Sequence, residues 1–412
     1  MRLTPRGRLS EPGRGRVSKH IVIVGGGVGG TMLANQLVTK LYSEILRGAV
    51  CITLLSNSPD HFYKPAFMYV AFNQFFDEEL KRPERSLLRP EIDFRVDEVT
   101  RFDFAGQHLH TRSGKRYGYD FLVIATGCVP APERIEGLKE AGDHFYDYAA
   151  ARRLAERLNT IERGRIFISV SFPKTPNVPH QCGIAPVETT LMLDDLLRRR
   201  GVRDKVEIIY TYPSVAQLLR NCLFMQRPVG EALPGIFEQR NIRFQRDFTL
   251  GRVDAERRIA YSEEGEEQPF DILMATPPIR AVDVVLESGV SQAENDEGWL
   301  PTNHETLQVY GLQGVYVIGD TVDLPISKAG GACHNQAPVI ANNITAEIRL
   351  GAPNSVYEGR VQAVAQMGLN AGMPLWYDYA HDVLPTPPSK LGGLLRTGFN
   401  RGLYWAVARG ML

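Results

Sequence analysis

The amino-acid sequence predicts an α/β protein of at least two domains, of which the first is Rossmann-like. Its 412 residues exceed what a single hydrophobic core usually organises. A short apolar strand at residues 21–24 runs into a glycine-rich loop, and the residues after it place Leu33 and Leu37 on one helical face. A second apolar strand, residues 164–172, is again followed by a loop and a helical pattern.

The composition disfavours several classes of protein. The content of 43% hydrophobic and 23% charged residues is typical of a folded soluble chain. Basic and acidic residues are equal at 47 each, so the net charge gives no reason to expect a nucleic-acid partner. No run of eighteen apolar residues occurs, so no membrane span is predicted. The five cysteines show neither CxxC nor metal-ligand spacing, which predicts no disulfide framework and no metal site.

Residues 1–19 predict a flexible basic arm. They combine arginines and a lysine with Glu11 as the one acid, and they are rich in glycine and proline. An export signal would need an apolar core region, and the first apolar run here is the strand at 21–24. We therefore expect an arm rather than an export signal.

The first glycine-rich loop predicts dinucleotide binding. Gly25, Gly27 and Gly30 follow the strand in a GxGxxG pattern, which lets the backbone approach a pyrophosphate at a helix N-terminus. The next strand, residues 49–56, lacks the acid that usually holds a ribose hydroxyl. Ser56 and Asn57 stand there instead, and they would bind a ribose more weakly than a carboxylate does.

Two later strands indicate which dinucleotide is bound. The segments "YDFLVIATGCVP" (119–130) and "GVYVIGDTVDLP" (314–325) end in ATG and GD. They resemble the corresponding segments of the flavoprotein disulfide reductase superfamily. This resemblance implies an FAD cofactor, with Asp320 on its ribityl chain. It also implies that Thr126, Gly127 and Gly319 lie at the cofactor.

The loop after the strand at 164–172 departs from a nicotinamide site. It reads "PKTPNVPHQCGIAPVETT", without a glycine triplet, and its prolines remove amide donors that a phosphate would need. Nicotinamide binding is therefore disfavoured. Cys182 stands on this loop just before a helix, whose N-terminus favours thiolate. The alternative is a buried, inert cysteine.

This loop resembles the CxPAPxE signature of sulfide:quinone oxidoreductases. Residues 58–72 and 324–344 and the C-terminal end are also similar to that family. The resemblance implies that Cys182 takes the sulfide-derived sulfur and that Glu188 is a nearby proton acceptor. It also implies that Lys328 lies near the flavin N1/C2 carbonyl, where a cation stabilises the reduced ring, and that Lys64 contacts the cofactor. The alternative for Lys328 is a surface lysine.

The chain departs from this family at its second active-site cysteine. In "YEGRVQAVAQMG" the residue at that position is Ala363, and no cysteine occurs after Cys333. Either Cys333 pairs with Cys182, which requires Cα atoms within about 7 Å, or Cys182 acts alone with a different thiol or persulfide donor. We expect Cys51, Cys128 and Cys222 to be bystanders. His180 and His334 flank two of these cysteines, and His180 is a candidate for proton transfer or simply a loop histidine.

The C-terminal end predicts a helix lying in a membrane interface. In residues 389–412 apolar side chains recur at helical spacing, with Lys390, Arg396, Arg401 and Arg409 between them. The alternative is a stripe that packs on the protein's own core. Candidate quinone contacts are Trp376, Tyr377, Phe399 and Tyr404. The apolar stripe consists of Leu391, Leu394, Leu395, Phe399, Leu403, Val407 and Met411.

These observations and the resemblance together predict two Rossmann-like domains of the FAD/NAD(P) type found in disulfide reductases, followed by a C-terminal membrane-facing helical segment. The expected function is FAD-dependent oxidation of sulfide, or of a related sulfur compound, with quinone as acceptor. The expected location is peripheral on the cytoplasmic membrane, with the side left open. The alternatives are an NAD(P)H:quinone dehydrogenase and a catalytically silent flavoprotein subunit; a homo-oligomer is left open. The predicted divisions are an arm (1–19), FAD domain (20–150 and 286–350), second domain (151–285) and C-terminal segment (351–412).

Overall fold

The structure is a computed structural model, and its described part contains two five-stranded parallel sheets. Both sheets are built on a buried apolar central strand, Lys19–Val24 in the first and Gly164–Val170 in the second. The described residues are 18–75, 77–171, 182–212, 227–290, 297–381 and 386–411.

The first sheet is assembled from distant parts of the chain. Its central strand pairs with Val50–Ser56 on one side and with Phe121–Ile124 on the other. The strand Val315–Val317 then adds beside Phe121–Ile124, almost two hundred residues later in the sequence. This sheet therefore combines separated parts of the chain, and the predicted division into residues 20–150 and 286–350 stays a prediction. The order of strands is Val315–Val317, Phe121–Ile124, Lys19–Val24, Val50–Ser56 and Asp93–Val96.

The second sheet repeats this arrangement around its own first strand. Gly164–Val170 pairs in parallel with Val206–Tyr212 and with Ile272–Thr276. Two Rossmann-like domains are thus confirmed. The edge strand Gly142–Asp143 joins the second sheet, although the predicted first segment extends to residue 150; the predicted boundaries stay a prediction. The strand order is Gly142–Asp143, Ile272–Thr276, Gly164–Val170, Val206–Tyr212 and Arg243–Arg246.

Smaller antiparallel units and helices complete the two domains. Each domain carries a three-stranded sheet: Val99–Asp103, His108–Thr111 and Arg116–Gly118, and Leu250–Asp254, Ile259–Ser262 and Glu267–Pro269. Two-stranded pairs join Asp60–Phe62 to Lys81–Pro83, Cys128–Pro130 to Ile279–Ala281, Leu300–Pro301 to Val322–Asp323 and Val361–Gln366 to Gly372–Tyr377. The longer helices are Val28–Leu46, Tyr148–Thr160, Ala185–Arg199, Arg227–Gln239, Gly330–Leu350 and Lys390–Gly398. Single helical turns lie at Phe67–Val70, Asp77–Leu80, Glu84–Leu87, Leu138–Ala141 and Asp283–Leu286.

The C-terminal segment is one helical stretch that contains a π-helical turn. An α-helix ends at Gly398, a π-helical turn covers Phe399–Leu403, and a short α-helix follows at Tyr404–Ala408. Two members of the predicted apolar stripe, Phe399 and Val407, are partly buried against the protein core, and the membrane role of the stripe stays a prediction. The exposed members are Leu391, Leu394, Leu395, Leu403 and Met411.

This segment docks on the first domain. The Asn35 amide donates to the carbonyl of Ala408 at 2.8 Å. Tyr404 is buried; its hydroxyl is 2.5 Å from the His61 ring nitrogen, and its ring stacks on Tyr63. Across the described ranges, no helix is both long and apolar enough to span a bilayer.

Helix Ala185–Arg199 is anchored at its C-terminal end by a buried carboxylate. Asp194 is completely buried and accepts hydrogen bonds from Arg198, Arg203 and Arg240. Burial opposes the charge of Asp194, but the three guanidinium groups outweigh it and lower the pKa of the carboxyl. The neighbouring Asp195 accepts from the backbone amide of Leu369 and so ties the helix to the hairpin Val361–Tyr377.

We expect Asp194→Ala to lower the free energy of unfolding by about 3–4 kcal/mol, because it leaves the buried guanidinium of Arg203 without its counter-charge. Asp204→Ala removes an exposed carboxylate nearby and should change that free energy by less than about 0.5 kcal/mol. Urea unfolding of the full-length protein measures both. The difference between wild type and Asp194→Ala should shrink as the pH falls below about 4 and through the lowered pKa of Asp194. Equal effects of the two variants would contradict this account.

Candidate active site

The first glycine loop is closely packed at Gly25 and Gly30 and open at Gly27. Gly25 has a φ of 115°, and a Cβ there would meet the carbonyl oxygen of Ala125 at 2.3 Å. A Cβ on Gly30 would lie 1.9 Å from the carbonyl oxygen of Gly25. Gly27, by contrast, faces open space and caps helix Val28–Leu46 without a side-chain hydrogen bond. The loop therefore presents helix amides to an open site, as an anionic diphosphate requires.

The residues predicted to bind the ribose differ in position. Ser56 is buried, and its hydroxyl lies 3.2 Å from where a Cβ of Gly26 would stand. Asn57 is exposed. The carboxyl carbon of Glu84 lies equally close to Gly26, but Glu84 is fully buried and bonded to Thr31 and His61.

The ATG and GD segments meet at the edge of the first sheet. The hydroxyl of Thr321 donates to the carbonyl of Gly127 at 3.1 Å and lies 3.3 Å from the hydroxyl of Thr126. Gly319 has a φ of 80° and donates its amide to the side chain of Gln336. The structure thus brings the two segments together, and their contact with a cofactor stays a prediction.

Lys328 is buried in the same region, so the surface alternative is wrong. Its Nζ donates to the backbone carbonyls of Asp320 at 2.5 Å and Val322 at 2.7 Å. The ammonium lies 3.6 Å from the ring centroid of Trp299. Burial lowers the pKa of Lys328 to about 8. Two carbonyl oxygens and the face of an indole ring thus hold the ammonium in place.

Cys128 belongs to this cluster, although the sequence gives it no expected role at the site. Its sulfur lies 3.5 Å from the carboxylate of Asp320, to which it donates. Burial raises the pKa of Cys128 most, and the negative charge of Asp320 raises it further. The positive charges of Lys328 and Lys64 act to lower it. Lys64 itself is exposed at the start of a helical turn. The position of Cys128 directly after ATG is the signal in the sequence that indicates this placement.

Cys182 lies immediately before helix Ala185–Arg199. The pKa of its thiol is raised, first by burial and then by the negative charge of Glu188. The backbone amides of Ile184 and Ala185 and the guanidinium of Arg396 favour the thiolate, but they do not outweigh burial. The expected net lowering by the helix N-terminus is therefore wrong, because burial is the larger effect.

Glu188 lies one turn into this helix and is 3% exposed. Its Oε1 accepts the backbone amide of Gln366 at 2.6 Å. Burial raises the pKa of Glu188, and Arg396 and the Gln366 amide oppose that rise. A buried carboxylate with a raised pKa beside a thiol can accept a proton near neutral pH.

Arg396 and Tyr69 complete this cluster, and the sequence does not reveal them. The Nε of Arg396 donates to the Tyr69 hydroxyl at 2.8 Å, and its Nη1 donates to the carbonyl of Val364. Its Nη2 lies 3.6 Å from Oε1 of Glu188. The basic pattern of the C-terminal segment predicts Arg396 as a membrane flank; that prediction is wrong because the guanidinium turns inward to a buried carboxylate.

Ala363 lies on the strand that faces these groups. It occupies strand Val361–Gln366, opposite Leu375, and is partly buried. Its strand neighbours Val364 and Gln366 contact Arg396 and Glu188. The structure therefore brings the strand of the missing cysteine to the Cys182 helix.

Cys333 has a different environment from Cys182. It is buried on helix Gly330–Leu350, and its sulfur would lie 3.3 Å from a Cβ on Gly319. Its pKa is raised by burial and by Asp320. Cys51, Cys128, Cys182 and Cys333 are all free thiols. Cys222 and His180 lie outside the described residues.

The candidate quinone contacts lie in unlike environments. Trp376 is 51% exposed, whereas Tyr377 and Tyr404 are buried. Phe399 is partly buried against the His334 ring, with 5.6 Å between ring centroids. Burial lowers the pKa of His334.

Asp103, His108 and His110 form a separate cluster on one hairpin, where a metal ion could be considered. Arg101 lies 2.6 Å from a ring nitrogen of His110, and Arg116 lies 3.0 Å from a ring nitrogen of His108. Each arginine contacts one ring nitrogen of a histidine, and its positive charge would repel a metal ion at this cluster.

The chain is similar to one protein family, to sequence relatives and to solved structures. The family described as pyridine nucleotide-disulphide oxidoreductase matches residues 19–169. A mitochondrial sulfide:quinone oxidoreductase of Dictyostelium discoideum is 27% identical over 82% of this chain and 73% of its own length. A sulfide-quinone reductase of Aquifex aeolicus is 25% identical over 96% of this chain and 92% of its own. The crystal structure of the Aquifex aeolicus sulfide:quinone oxidoreductase matches with a TM-score of 0.80 and 24% identity, covering 95% of this chain and 92% of that one.

We expect Glu188→Gln to make Cys182 more reactive toward iodoacetamide, because it removes the negative charge that opposes the thiolate. The modification rate at pH 8 should rise about threefold to tenfold, measured by mass spectrometry of the Cys182 peptide. Glu156→Gln, an exposed carboxylate on helix Tyr148–Thr160, should leave the rate unchanged. A slower reaction in Glu188→Gln would show that the carboxylate activates the thiol rather than opposing its ionisation.

Proposed function

We infer that this chain, which belongs to the sulfide:quinone oxidoreductase family, is an FAD-dependent enzyme that oxidises sulfide and passes the electrons to quinone. The observation that carries this inference is that the Cys182 thiol lies just before the helix that carries the buried Glu188 carboxylate, near enough for the charge of Glu188 to act on the thiol. A thiol and a proton acceptor are the groups that sulfur transfer needs.

The residues present fit FAD. The close packing of Gly25 and Gly30 leaves the amides at Gly27 open to a diphosphate. Asp320 and Lys328 lie together at the same carboxyl edge of the first sheet, because the strands that precede the glycine loop, ATG and GD run parallel. FAD, when bound, accepts the two electrons of sulfide oxidation and passes them on to quinone.

Cys182 would bond to the sulfur of sulfide. In the balanced step, the Cys182 thiol and hydrogen sulfide would give a Cys182 persulfide, two protons and two electrons, and a bound FAD would supply the acceptor for the electrons. Glu188 would accept the first proton, since burial raises the pKa of its carboxyl. The step needs one protein sulfur and no protein disulfide.

Ala363 determines the fate of this persulfide. The sequence offers no second sulfur at that position, so the outer sulfur of the Cys182 persulfide has no internal acceptor there. A second sulfur nucleophile, such as another sulfide ion, would attack it and release Cys182 as thiolate. The product would then be a small polysulfide.

Lys328 would hold a positive charge against the reduced cofactor. Two of its donors are committed to backbone carbonyls, so the ammonium has a fixed position. A preorganised cation stabilises negative charge that develops during reduction. With a pKa of about 8, this charge would be lost progressively above that pH.

The C-terminal segment would place the enzyme on a membrane surface. Leu391, Leu394 and Leu395 are 57–70% exposed on helix Lys390–Gly398. Exposed leucines beside basic residues suit the boundary between headgroups and acyl chains. Quinone dissolves in the bilayer, so this segment would lead it toward the flavin, where Phe399 and Trp376 are candidate contacts.

The two alternatives rest on weaker observations. A nicotinamide donor is disfavoured by the missing glycine triplet after strand Gly164–Val170. A silent subunit is suggested by Ala363 alone, and the retained Cys182 and Glu188 speak against it. Flavin bleaching by NADH but not by sulfide would favour the first alternative, and bleaching by neither the second.

We expect Cys182→Ser to retain bound FAD and to lose sulfide-driven flavin reduction by at least about 10³-fold, because the sulfur nucleophile is gone. Anaerobic stopped-flow absorbance measures the rate. Cys51→Ser changes an exposed cysteine and should match wild type. Cys333→Ser should have a mild effect if Cys182 acts alone and a severe one if the two sulfurs cooperate. Wild-type rates in Cys182→Ser would overturn the assigned chemistry.

We expect the triple variant of Leu391, Leu394 and Leu395 to glutamine to bind vesicles at least about tenfold more weakly, because three apolar side chains no longer leave water. Co-sedimentation with phospholipid vesicles gives the partition coefficient. Leu350→Gln is the control, since Leu350 is 74% exposed at the end of another helix. Equal binding by the triple variant and wild type would argue against an interfacial helix.

A further inference from the structure

Arg396 points away from the exposed leucines of its own helix. Its neighbours Leu394 and Leu395 are exposed, whereas the Arg396 side chain is only 17% exposed. The guanidinium reaches the Tyr69 hydroxyl, the carbonyl of Val364 and the region of Glu188. One side chain thus joins the C-terminal helix, the strand of Ala363 and the Cys182 helix.

This cluster contains few titratable groups. Glu188 faces Arg396 from helix Ala185–Arg199, and Tyr69 and Tyr63 face it from the segment around Phe67–Val70. Glu188, Arg396 and Tyr146 are the charged or titratable neighbours that interact with Cys182 among the described residues. Burial raises the pKa of both Glu188 and Cys182, and the positive charge of Arg396 acts to lower both.

We propose that Arg396 is a positioning residue of the sulfur site, which fixes Glu188 against the strand of Ala363 and keeps Cys182 able to ionise. The proposal rests on the function assigned to Cys182 and names a group that acts through it. In a site with one thiol, no second sulfur shares the negative charge. Arg396, a largely buried cation near the thiol and its proton acceptor, would stabilise their negative charge instead.

The geometry separates a charge effect from simple packing. Tyr69 and Val364 bind two edges of the guanidinium and aim the third toward Glu188. A lysine would keep the positive charge but lose the planar fork. Glutamine would keep much of the volume and lose the charge.

The test is the rate of Cys182 alkylation by iodoacetamide between pH 6 and 10 in the full-length, FAD-bound protein. The variants are made in a Glu188→Gln background, which removes the effect of the carboxylate on the thiol. There Arg396→Gln should slow the reaction at pH 8 by about tenfold and move the profile to higher pH, because the cation that favours the thiolate is gone. Arg396→Lys should recover most of the rate. Arg401→Gln is the matched control, because Arg401 lies on the next turn and binds Glu79 and the carbonyl of Gln74 at the surface; it should react like the Glu188→Gln parent.

An unchanged profile in Arg396→Gln, or a lysine variant as slow as the glutamine variant, would overturn the proposal. If Arg396→Gln does not fold, Tyr69→Phe replaces it: loss of the acceptor for Nε should slow alkylation about threefold, and no change would overturn the proposal. Alkylation uses neither sulfide nor quinone. A failure of the proposed function would instead appear as absent flavin reduction with a normal alkylation profile.

Discussion

The buried carboxylate of Glu188 beside the Cys182 thiol is the constraint on which the site depends. A charge removed from water requires a partner or becomes neutral. The chain supplies a backbone amide from Gln366 and a guanidinium from Arg396. Both belong to the C-terminal part of the protein, so that part stabilises the charge needed for sulfur chemistry in addition to offering exposed leucines.

The helix Ala185–Arg199 serves both the chemistry and the stability of the protein. Its N-terminal end lies beside Cys182 and carries Glu188, and its C-terminal end is held by Asp194 and its three arginines. Asp195 ties it to the hairpin that carries Ala363. Ala363 therefore lies in a site whose other groups are connected by hydrogen bonds and ion pairs. In that site the Cys182 thiol has Glu188 as proton acceptor and Arg396 as the nearby cation.

Local patterns in the sequence predict the parts of the protein that local chemistry determines. The glycine loop, the buried strands ending in ATG and GD, and the helix after Cys182 all fold as expected. The inward turn of Arg396 could not be predicted, because it depends on a carboxylate two hundred residues earlier. The wrong prediction for the pKa of Cys182 has a related cause: helix amides are visible in the sequence, whereas burial by distant elements is not.

The central claim is that sulfide delivers electrons to the flavin through Cys182 alone. Anaerobic titration of the FAD-bound, wild-type protein with sulfide tests it most directly, with the flavin absorbance and the mass of the Cys182 peptide followed together. We expect bleaching to be complete near one sulfide per flavin, with one sulfur atom added to Cys182. Full bleaching with no sulfur on Cys182, or no bleaching by sulfide, would contradict the claim.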